Sequence, residues 1–206
     1  MRTQAILFLL STAVAGIVLY SCEGNATPTH DASKTNIDSS WLKYGGYPDA
    51  VAYGHHLVII SGCNDCHTPK KMSPFGPVPD TTLQLSGHPS AAPSPNVNPK
   101  DIEAKGLAVT NDMTAWVGPW GTSYSANLTP DATGIGNWTE AQFMRALREG
   151  KFKGLDGSRQ LLPPMPWQDF TNMSDQELKA IYAYLKSIKP IHNVVPAAVP
   201  PVIQHH

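Results

Sequence analysis

The stretch Gly62-Cys63-Asn64-Asp65-Cys66-His67-Thr68-Pro69 contains the pattern Cys-x-x-Cys-His. Two thiols three positions apart at the end of a helix can each add to one vinyl group of a porphyrin. The histidine that follows directly can then turn its imidazole under the iron. The spacing therefore predicts covalent attachment of one c-type haem through Cys63 and Cys66, with His67 as the proximal iron ligand.

Three other interpretations of the cysteine pair compete with haem attachment. A thioredoxin-like redox motif would follow a strand in a βαβ pattern, and that pattern is not evident here. A zinc site would need a second pair of ligands, and the third cysteine, Cys22, falls in an export signal instead. A simple disulfide would give His67 no role. Haem attachment uses all three residues of the motif.

The composition sets limits on the function. The chain has 206 residues, which is enough for one domain or two small ones. Its net charge of −1 argues against a nucleic-acid partner, which would require a basic face. The 19 prolines and 16 glycines predict long ordered loops, and a charged fraction of 15% is not that of a charge-rich disordered protein.

The N-terminus has the pattern of a bacterial lipoprotein signal. After Arg2, residues 5–20 are apolar but fewer than the ~20 that a membrane-spanning helix needs. They run into Leu19-Tyr20-Ser21-Cys22, which resembles the lipoprotein box. We therefore expect a signal peptide over 1–21, lipidation of Cys22 and a flexible tether over 22–43. In the alternative, the signal is an ordinary one and Cys22 is a bystander.

These features together predict a location. The protein is expected in the bacterial cell envelope, lipid-anchored to a membrane and facing the periplasm, with inner and outer membrane both open.

The segment before the motif predicts a helix. Over residues 50–62, an apolar face is expected from Val51, His55 and the run 58–60. His55 and the neighbouring His56 are interpreted as packing or surface residues, because the end of this helix already presents His67.

Two further helices are predicted downstream. Residues 139–151 have an amphipathic pattern. A later helix begins with a capping box formed by Ser174 and Glu177 and ends at Pro190. Tyr182 in that helix is expected at its crossing with the helix before the motif.

This order of elements resembles class I cytochromes c. The resemblance is closest to cytochrome c modules that carry Gly-Cys-Asn-Asp-Cys-His-Thr-Pro, here residues 62–69, and Asn-Leu-Thr-Pro-Asp-Ala-Thr-Gly-Ile-Gly, here 127–136. It covers residues 44–190 and leaves a tail over 191–206, expected at the surface. It implies an all-α cytochrome c fold, with three to five helices and long loops wrapped around one covalent haem.

The sixth iron ligand is expected to be Met165. It lies in Leu161-Leu162-Pro163-Pro164-Met165-Pro166-Trp167, where prolines stiffen a loop that could hold a weak thioether ligand. The resemblance implies the same position. His88 is the rival ligand, since Gly87-His88-Pro89 is a conspicuous loop. Of the other methionines, Met113 in a loop stays open as a ligand. Met72 is expected to lie too close to His67, Met144 is expected in the core, and Met173 precedes the last helix.

Four residues are expected around the haem on weaker grounds. Tyr124, Asn127 and Trp138 could line the haem or donate to its propionates, and Arg148 could pair with one. The alternative for each is a structural or surface role. The long loop over 68–110 could cover the haem or dock a partner.

The predicted function is single-electron transfer rather than catalysis. A Met/His pair leaves no open position on the iron, and a thioether ligand raises the reduction potential. The expected partners are redox proteins: a dehydrogenase, a quinol-oxidising complex or a terminal oxidase in a respiratory or dehydrogenase-linked chain. One alternative is an electron-transfer subunit held permanently in a larger complex, and a more distant one is a haem peroxidase or gas sensor.

Overall fold

The computed structural model describes residues 43–202. The predicted signal peptide, Cys22 and the tether up to residue 42 lie outside the described residues. Within 43–202, no helix is both long enough and apolar enough to cross a membrane.

The described residues form six α-helices and two small antiparallel sheets. The helices are α1 (Ala50–Ile60), α2 (Cys63–His67), α3 (Pro99–Ala104), α4 (Glu140–Glu149), α5 (Trp167–Phe170) and α6 (Asp175–Ser187). One sheet pairs β1 (Lys70–Ser73) with β2 (Gly76–Pro79), and the other has the order β3 (Val109–Thr110), β4 (Ala115–Gly118) and β5 (Gly121–Tyr124). Short 3₁₀ turns lie at Thr81–Leu83 and Phe152–Gly154.

The predicted helical core and long loops are confirmed, and the sheets are an addition. The sequence pattern did not predict the β1–β2 hairpin, because it contains prolines at 74, 77 and 79 and proline normally argues against a strand. Strands β4 and β5 pair around a tight turn from Gly118 to Gly121.

Helices α1 and α6 cross at Gly54. A Cβ atom added to Gly54 would lie 1.9 Å from the carbonyl oxygen of Ala180 and 2.9 Å from Cβ of Tyr184. Only glycine allows two backbones this close. The crossing sets the direction in which α1 delivers the chain to the cysteine motif.

The apolar face predicted for α1 was wrong in detail. The buried residues are Gly54, Leu57 and Val58, whereas Ile59 and Ile60 are 54% and 63% exposed. The glycine crossing determines this orientation, and a glycine carries no hydrophobic signal that a pattern could detect.

The prediction that Tyr182 lies at the crossing of α1 and α6 was also wrong, because the tyrosine two positions later lies there. Tyr184 packs at Gly54, whereas Tyr182 lies against Phe143 of α4 and donates to the carbonyl of Trp138 over 2.7 Å. Residues two apart point to nearly opposite sides of a helix, since each residue turns about 100°.

Both predicted helix starts are confirmed by their caps. In α6, the Ser174 hydroxyl accepts from the Glu177 amide, and the Glu177 carboxylate accepts from the Ser174 amide over 2.7 Å. In α4, Thr139 and Gln142 form the same reciprocal pair, and Gly150 ends the helix at φ 64°. Caps of this kind stabilise a helix by about 1 kcal/mol.

The core joins the crossing helices to α4 and two loops. It contains the buried apolar residues Leu57, Val58, Leu85, Ile135, Phe143, Leu178, Ile181 and Leu185. Leu85 and Ile135 belong to loops, so the loops contribute to the core.

The chain after α6 does not lie loosely on the surface. Residues 191–193 hydrogen-bond to two loops, Val199 pairs with Thr122 of β5, and the amide of Val202 donates to Glu103. The segment expected as a surface tail is therefore integrated into the fold up to residue 202.

Candidate haem-attachment site

The motif occupies its own single turn of helix. Gly62 takes the left-handed conformation at φ 67°, between the end of α1 and the start of α2. Glycine adopts this conformation without a Cβ penalty. The break separates Cys63, Cys66 and His67 from the direction of α1 and places them together on α2.

The two cysteines are free, partly buried thiols. Burial raises the pKa of Cys63 to about 11, and burial together with the negative charge of Asp65 raises the pKa of Cys66. A redox-active Cys-x-x-Cys pair requires the opposite shift, because its nucleophile is a thiolate. No group of three or more His, Cys, Asp or Glu side chains that could hold a metal ion occurs among residues 43–202.

The imidazole of His67 is held in place by a hydrogen bond at one of its two nitrogens. The ring is 9% exposed, and Nδ1 lies 2.8 Å from the carbonyl oxygen of Ala126. A carbonyl can only accept, so the proton is on Nδ1 and the lone pair is on Nε2. Burial also lowers the pKa of His67, which favours the neutral imidazole that a metal ligand needs. These three side chains fit haem c.

Two loops support His67 from behind. The amide of Gly87 donates to the carbonyl of His67 over 2.8 Å. Gly87 has φ 77°, and an added Cβ would lie 2.5 Å from the carbonyl carbon of Ala126. The amide of His88 donates to the carbonyl of Ser125 over 2.9 Å. The loop around Gly87 and the loop around Ala126 are thus packed directly against each other.

Sequence reasoning missed both supports. Ala126 acts through its carbonyl, which every residue type possesses, so its identity gives no signal. Gly87 stood next to the conspicuous His88, and its position could have indicated a close backbone approach.

The loop that carries Met165 is tied to β5. The hydroxyl of Ser123 donates to the carbonyl of Pro163 over 2.6 Å and accepts from Nε1 of Trp120 over 3.0 Å. Ser123 lies three residues before Ala126. The segment from Ser123 to Ala126 therefore bonds both to the ring of His67 and to the loop that carries Met165. Met165 itself is half-buried, and its role as sixth ligand stays a prediction.

Both ring nitrogens of His88, the rival ligand, form hydrogen bonds within the protein. It is 1% exposed, with Nδ1 2.8 Å from the hydroxyl of Thr114 and Nε2 3.2 Å from the carbonyl of Ala92. Because both nitrogens face protein partners, His88 has none left for iron.

The remaining methionines and the histidines of α1 have other surroundings. Met72 on β1 is 79% exposed, and Met113, between β3 and β4, is 39% exposed. Met144 and Met173 pack against the core. The His56 ring stacks on Tyr47, and the His55 ring lies tilted against Tyr184 with the ring centroids 4.9 Å apart, consistent with packing roles.

Two of the four residues predicted to line the haem, Asn127 and Arg148, bond to other protein groups. The Asn127 amide hydrogen-bonds with Thr129, Thr133 and the carbonyl of Ile191. Arg148 pairs with Asp175 at 2.9 Å and donates to the carbonyl of Thr171. The structure therefore gives both residues loop and helix contacts, and a part at the haem stays a prediction.

The other two are aromatic. The Tyr124 hydroxyl hydrogen-bonds with Ser94 over 2.8 Å, and its ring lies 5.0 Å from the ring of His88. Trp138 is partly buried against the core. A role for either residue in lining the haem also stays a prediction.

Comparison with known proteins gives the family. The Cytochrome c family model matches residues 51–189, which is more than half of the chain. The chain belongs to the cytochrome c family. The predicted haem c cofactor and the predicted electron-transfer class of function are confirmed at the level of this family.

Three curated relatives illustrate the likeness of this cytochrome c. A nicotinate dehydrogenase subunit of Pseudomonas putida is 49% identical over 80 residues, 38% of this chain and 6% of the relative. The fructose dehydrogenase cytochrome subunit of Gluconobacter japonicus is 32% identical over 144 residues, 69% of this chain and 22% of the relative.

The cytochrome c subunit of alcohol dehydrogenase (quinone) of Gluconobacter oxydans is 44% identical over 143 residues, 68% of this chain and 22% of the relative. The match thus covers less than a quarter of the length of each of these three relatives.

Proposed function

We propose that this cytochrome c passes single electrons from a dehydrogenase, using one haem attached at Cys63 and Cys66 with His67 and Met165 as iron ligands. The observation that carries the proposal is the α2 turn. It holds two protonated thiols beside an imidazole whose Nδ1 is fixed by the Ala126 carbonyl, so that Nε2 is the ligating atom.

Each residue of the site has a definite task. Cys63 and Cys66 would hold the haem by thioether bonds, each thiol adding its sulfur to one carbon of a vinyl group and its hydrogen to the other, an addition that would need no oxidant. His67 supplies Nε2 from a fixed ring, and Met165 supplies a thioether from a proline-stiffened loop. When bound, the haem iron accepts and releases one electron.

The names of the relatives support a dehydrogenase as the partner. Those of Gluconobacter japonicus and Gluconobacter oxydans are described as cytochrome subunits of fructose and alcohol dehydrogenases. We propose that this chain serves a dehydrogenase in the same way, as a subunit or as a carrier that docks transiently. Native electrophoresis in mild detergent separates the two, because a subunit migrates with its dehydrogenase and a carrier migrates as a free monomer.

The proposed location follows from the N-terminal sequence. A lipid on Cys22 would anchor the protein in the bacterial cell envelope, and residues 22–43 would let the domain stand off a membrane on the periplasmic side. Metabolic labelling with a radiolabelled fatty acid tests this, since Cys22→Ser should lose the label.

Optical spectra of the holoprotein test the ligand assignment. Met165→Ala should abolish the far-red charge-transfer band of Met-ligated ferric haem, lower the midpoint potential and permit CO binding to the ferrous form, because the thioether is lost. Met72→Ala is the matched control, since Met72 is 79% exposed.

Two outcomes contradict the assignment. One is a wild-type spectrum without the band, and the other is a Met165→Ala spectrum that keeps it. Rapid CO binding by the wild-type protein would instead favour a gas sensor or peroxidase.

A further inference from the structure

The segment Ile191-His192-Asn193, which we term the strap, follows α6 and lies across the two loops that support His67. Its backbone bonds to the loop over 127–133. The side-chain Nδ2 of Asn127 donates to the Ile191 carbonyl over 2.9 Å, and the backbone amide of Ile191 donates to the Thr129 hydroxyl over 3.1 Å. The amide of Asn193 donates to the hydroxyl of Thr133 over 3.0 Å.

The side chain of Asn193 bonds to the other loop. Its Nδ2 donates to the carbonyls of Ser86 and His88 over 2.7 and 2.8 Å, and its Oδ1 accepts from the amide of Ser90 over 3.0 Å. The residue is 9% exposed. One buried carboxamide thus organises the backbone from 86 to 90.

These contacts are immediate neighbours of the two supports of His67. Gly87, whose amide donates to the His67 carbonyl, lies between Ser86 and His88. Ala126, whose carbonyl accepts from Nδ1 of His67, directly precedes Asn127. The strap therefore joins the loop that holds the backbone of His67 to the loop that holds its ring.

We propose that Asn193 is a positioning residue for the proximal ligand. It clamps the Gly87 loop onto the Ala126 loop and thereby sets the length and angle of the hydrogen bond from His67 Nδ1. This inference rests on the proposed function in one respect, that His67 ligates the iron.

The expected consequence is electronic. A firm hydrogen bond from Nδ1 to a carbonyl makes the imidazole a stronger donor through Nε2, which favours ferric iron. Loosening the clamp lengthens the bond. The imidazole then becomes a weaker donor, and the midpoint potential rises.

The experiment uses the holoprotein and two variants of one residue. Asn193→Ala removes all three side-chain bonds, whereas Asn193→Asp keeps the shape and the acceptor but loses both donors. Asn172→Ala is the matched control, because the side-chain amide of the exposed Asn172 donates to the carbonyl of Asp169 three residues earlier and, within residues 43–202, to no other group. The readouts are the midpoint potential, the hydrogen exchange of the His67 Nδ1 proton by NMR of the ferrous form, and thermal unfolding.

Both Asn193 variants should raise the potential and speed exchange of the Nδ1 proton at least tenfold, while the control changes neither. A further measurement uses the wild-type protein alone. The exchange rates of the Nδ1 proton of His67 and of the side-chain amide protons of Asn193 should depend on denaturant concentration in the same way. Independent exchange in wild type overturns the inference even if neither variant accumulates.

Failure of this inference and failure of the proposed function look different. Wild-type protein without covalent haem refutes the proposed function, and this role of Asn193 with it. Wild-type protein with Met/His haem, combined with variants that lose stability but keep potential and exchange rate, refutes only the role of Asn193.

Discussion

Replacing Gly54 by alanine tests whether α1 and α6 cross as closely as the structure shows. The new Cβ would lie 1.9 Å from the Ala180 carbonyl oxygen. An ordinary carbon–oxygen contact is about 3.4 Å, so the helices would have to separate by roughly 1.5 Å. Another close atom, Cβ of Tyr184 at 2.9 Å, is attached directly to the backbone and cannot rotate away.

The net cost follows from two opposing effects. Overpacking a well-filled core costs about 1–3 kcal/mol, and the upper end applies because backbone meets backbone. Alanine gains about 1 kcal/mol over glycine in the interior of a helix. We therefore expect a loss of about 2 kcal/mol in the free energy of unfolding, or roughly 4–8 °C in Tm for a domain of this size.

Thermal unfolding of the holoprotein, followed by circular dichroism, measures this change. Gly106→Ala is a useful control, because a Cβ there meets no atom within 4 Å and only the positive φ of 63° opposes it. That substitution should cost about 1 kcal/mol. A Gly54→Ala protein more stable than wild type would show that helix propensity dominates, and the close crossing would be refuted.

The remaining predictions concern the site. Burial lowers the pKa of His88 below its usual value of 6.5. As the pH falls below 6.5, the unfolded chain therefore binds a proton at His88 before the native state does. The stability that neutral His88 supplies is complete above pH 6.5 and is lost as the pH falls below it. Urea unfolding between about pH 5 and pH 7 should therefore depend less on pH in His88→Gln than in wild type, and an unchanged dependence would refute this. Cys66→Ser should leave a single thioether through Cys63 and shift the pyridine haemochrome spectrum to the red, whereas an unshifted spectrum would exclude a bond at Cys66. Gly87→Ala should cost more than ~2 kcal/mol of stability, because its Cβ would meet the Ala126 carbonyl carbon at 2.5 Å; a Tm within error of wild type would contradict that contact.

Local signals allowed part of this fold to be predicted from the sequence. Spacing alone predicted Cys63, Cys66 and His67 as the attachment residues, because attachment chemistry requires those residue types at those intervals. The Ser174 and Glu177 capping box marked the start of α6, since a cap is a contact between residues three apart. Proline content marked the loops that surround the site.

Contacts between distant segments could not be predicted in the same way. The crossing at Gly54 depends on Ala180, and the choice between Tyr182 and Tyr184 depends on the rotation of α6 about its axis. The Ala126 carbonyl carries no residue signature. The sequence around the strap predicts only a surface tail, because its Val- and Pro-rich composition has no helical or strand period.

The arrangement around the predicted iron ligands suits electron transfer, because it limits their motion. Both protein partners of His67 are backbone groups, the Ala126 carbonyl and the Gly87 amide, and neither titrates. Ser123, three residues before Ala126, also bonds to the loop of Met165. The segment from Ser123 to Ala126 therefore restrains both the ring of His67 and the backbone of the loop that carries Met165. With His67 and Met165 as the proposed iron ligands, restraints of this kind would leave the protein little to rearrange when an electron moves.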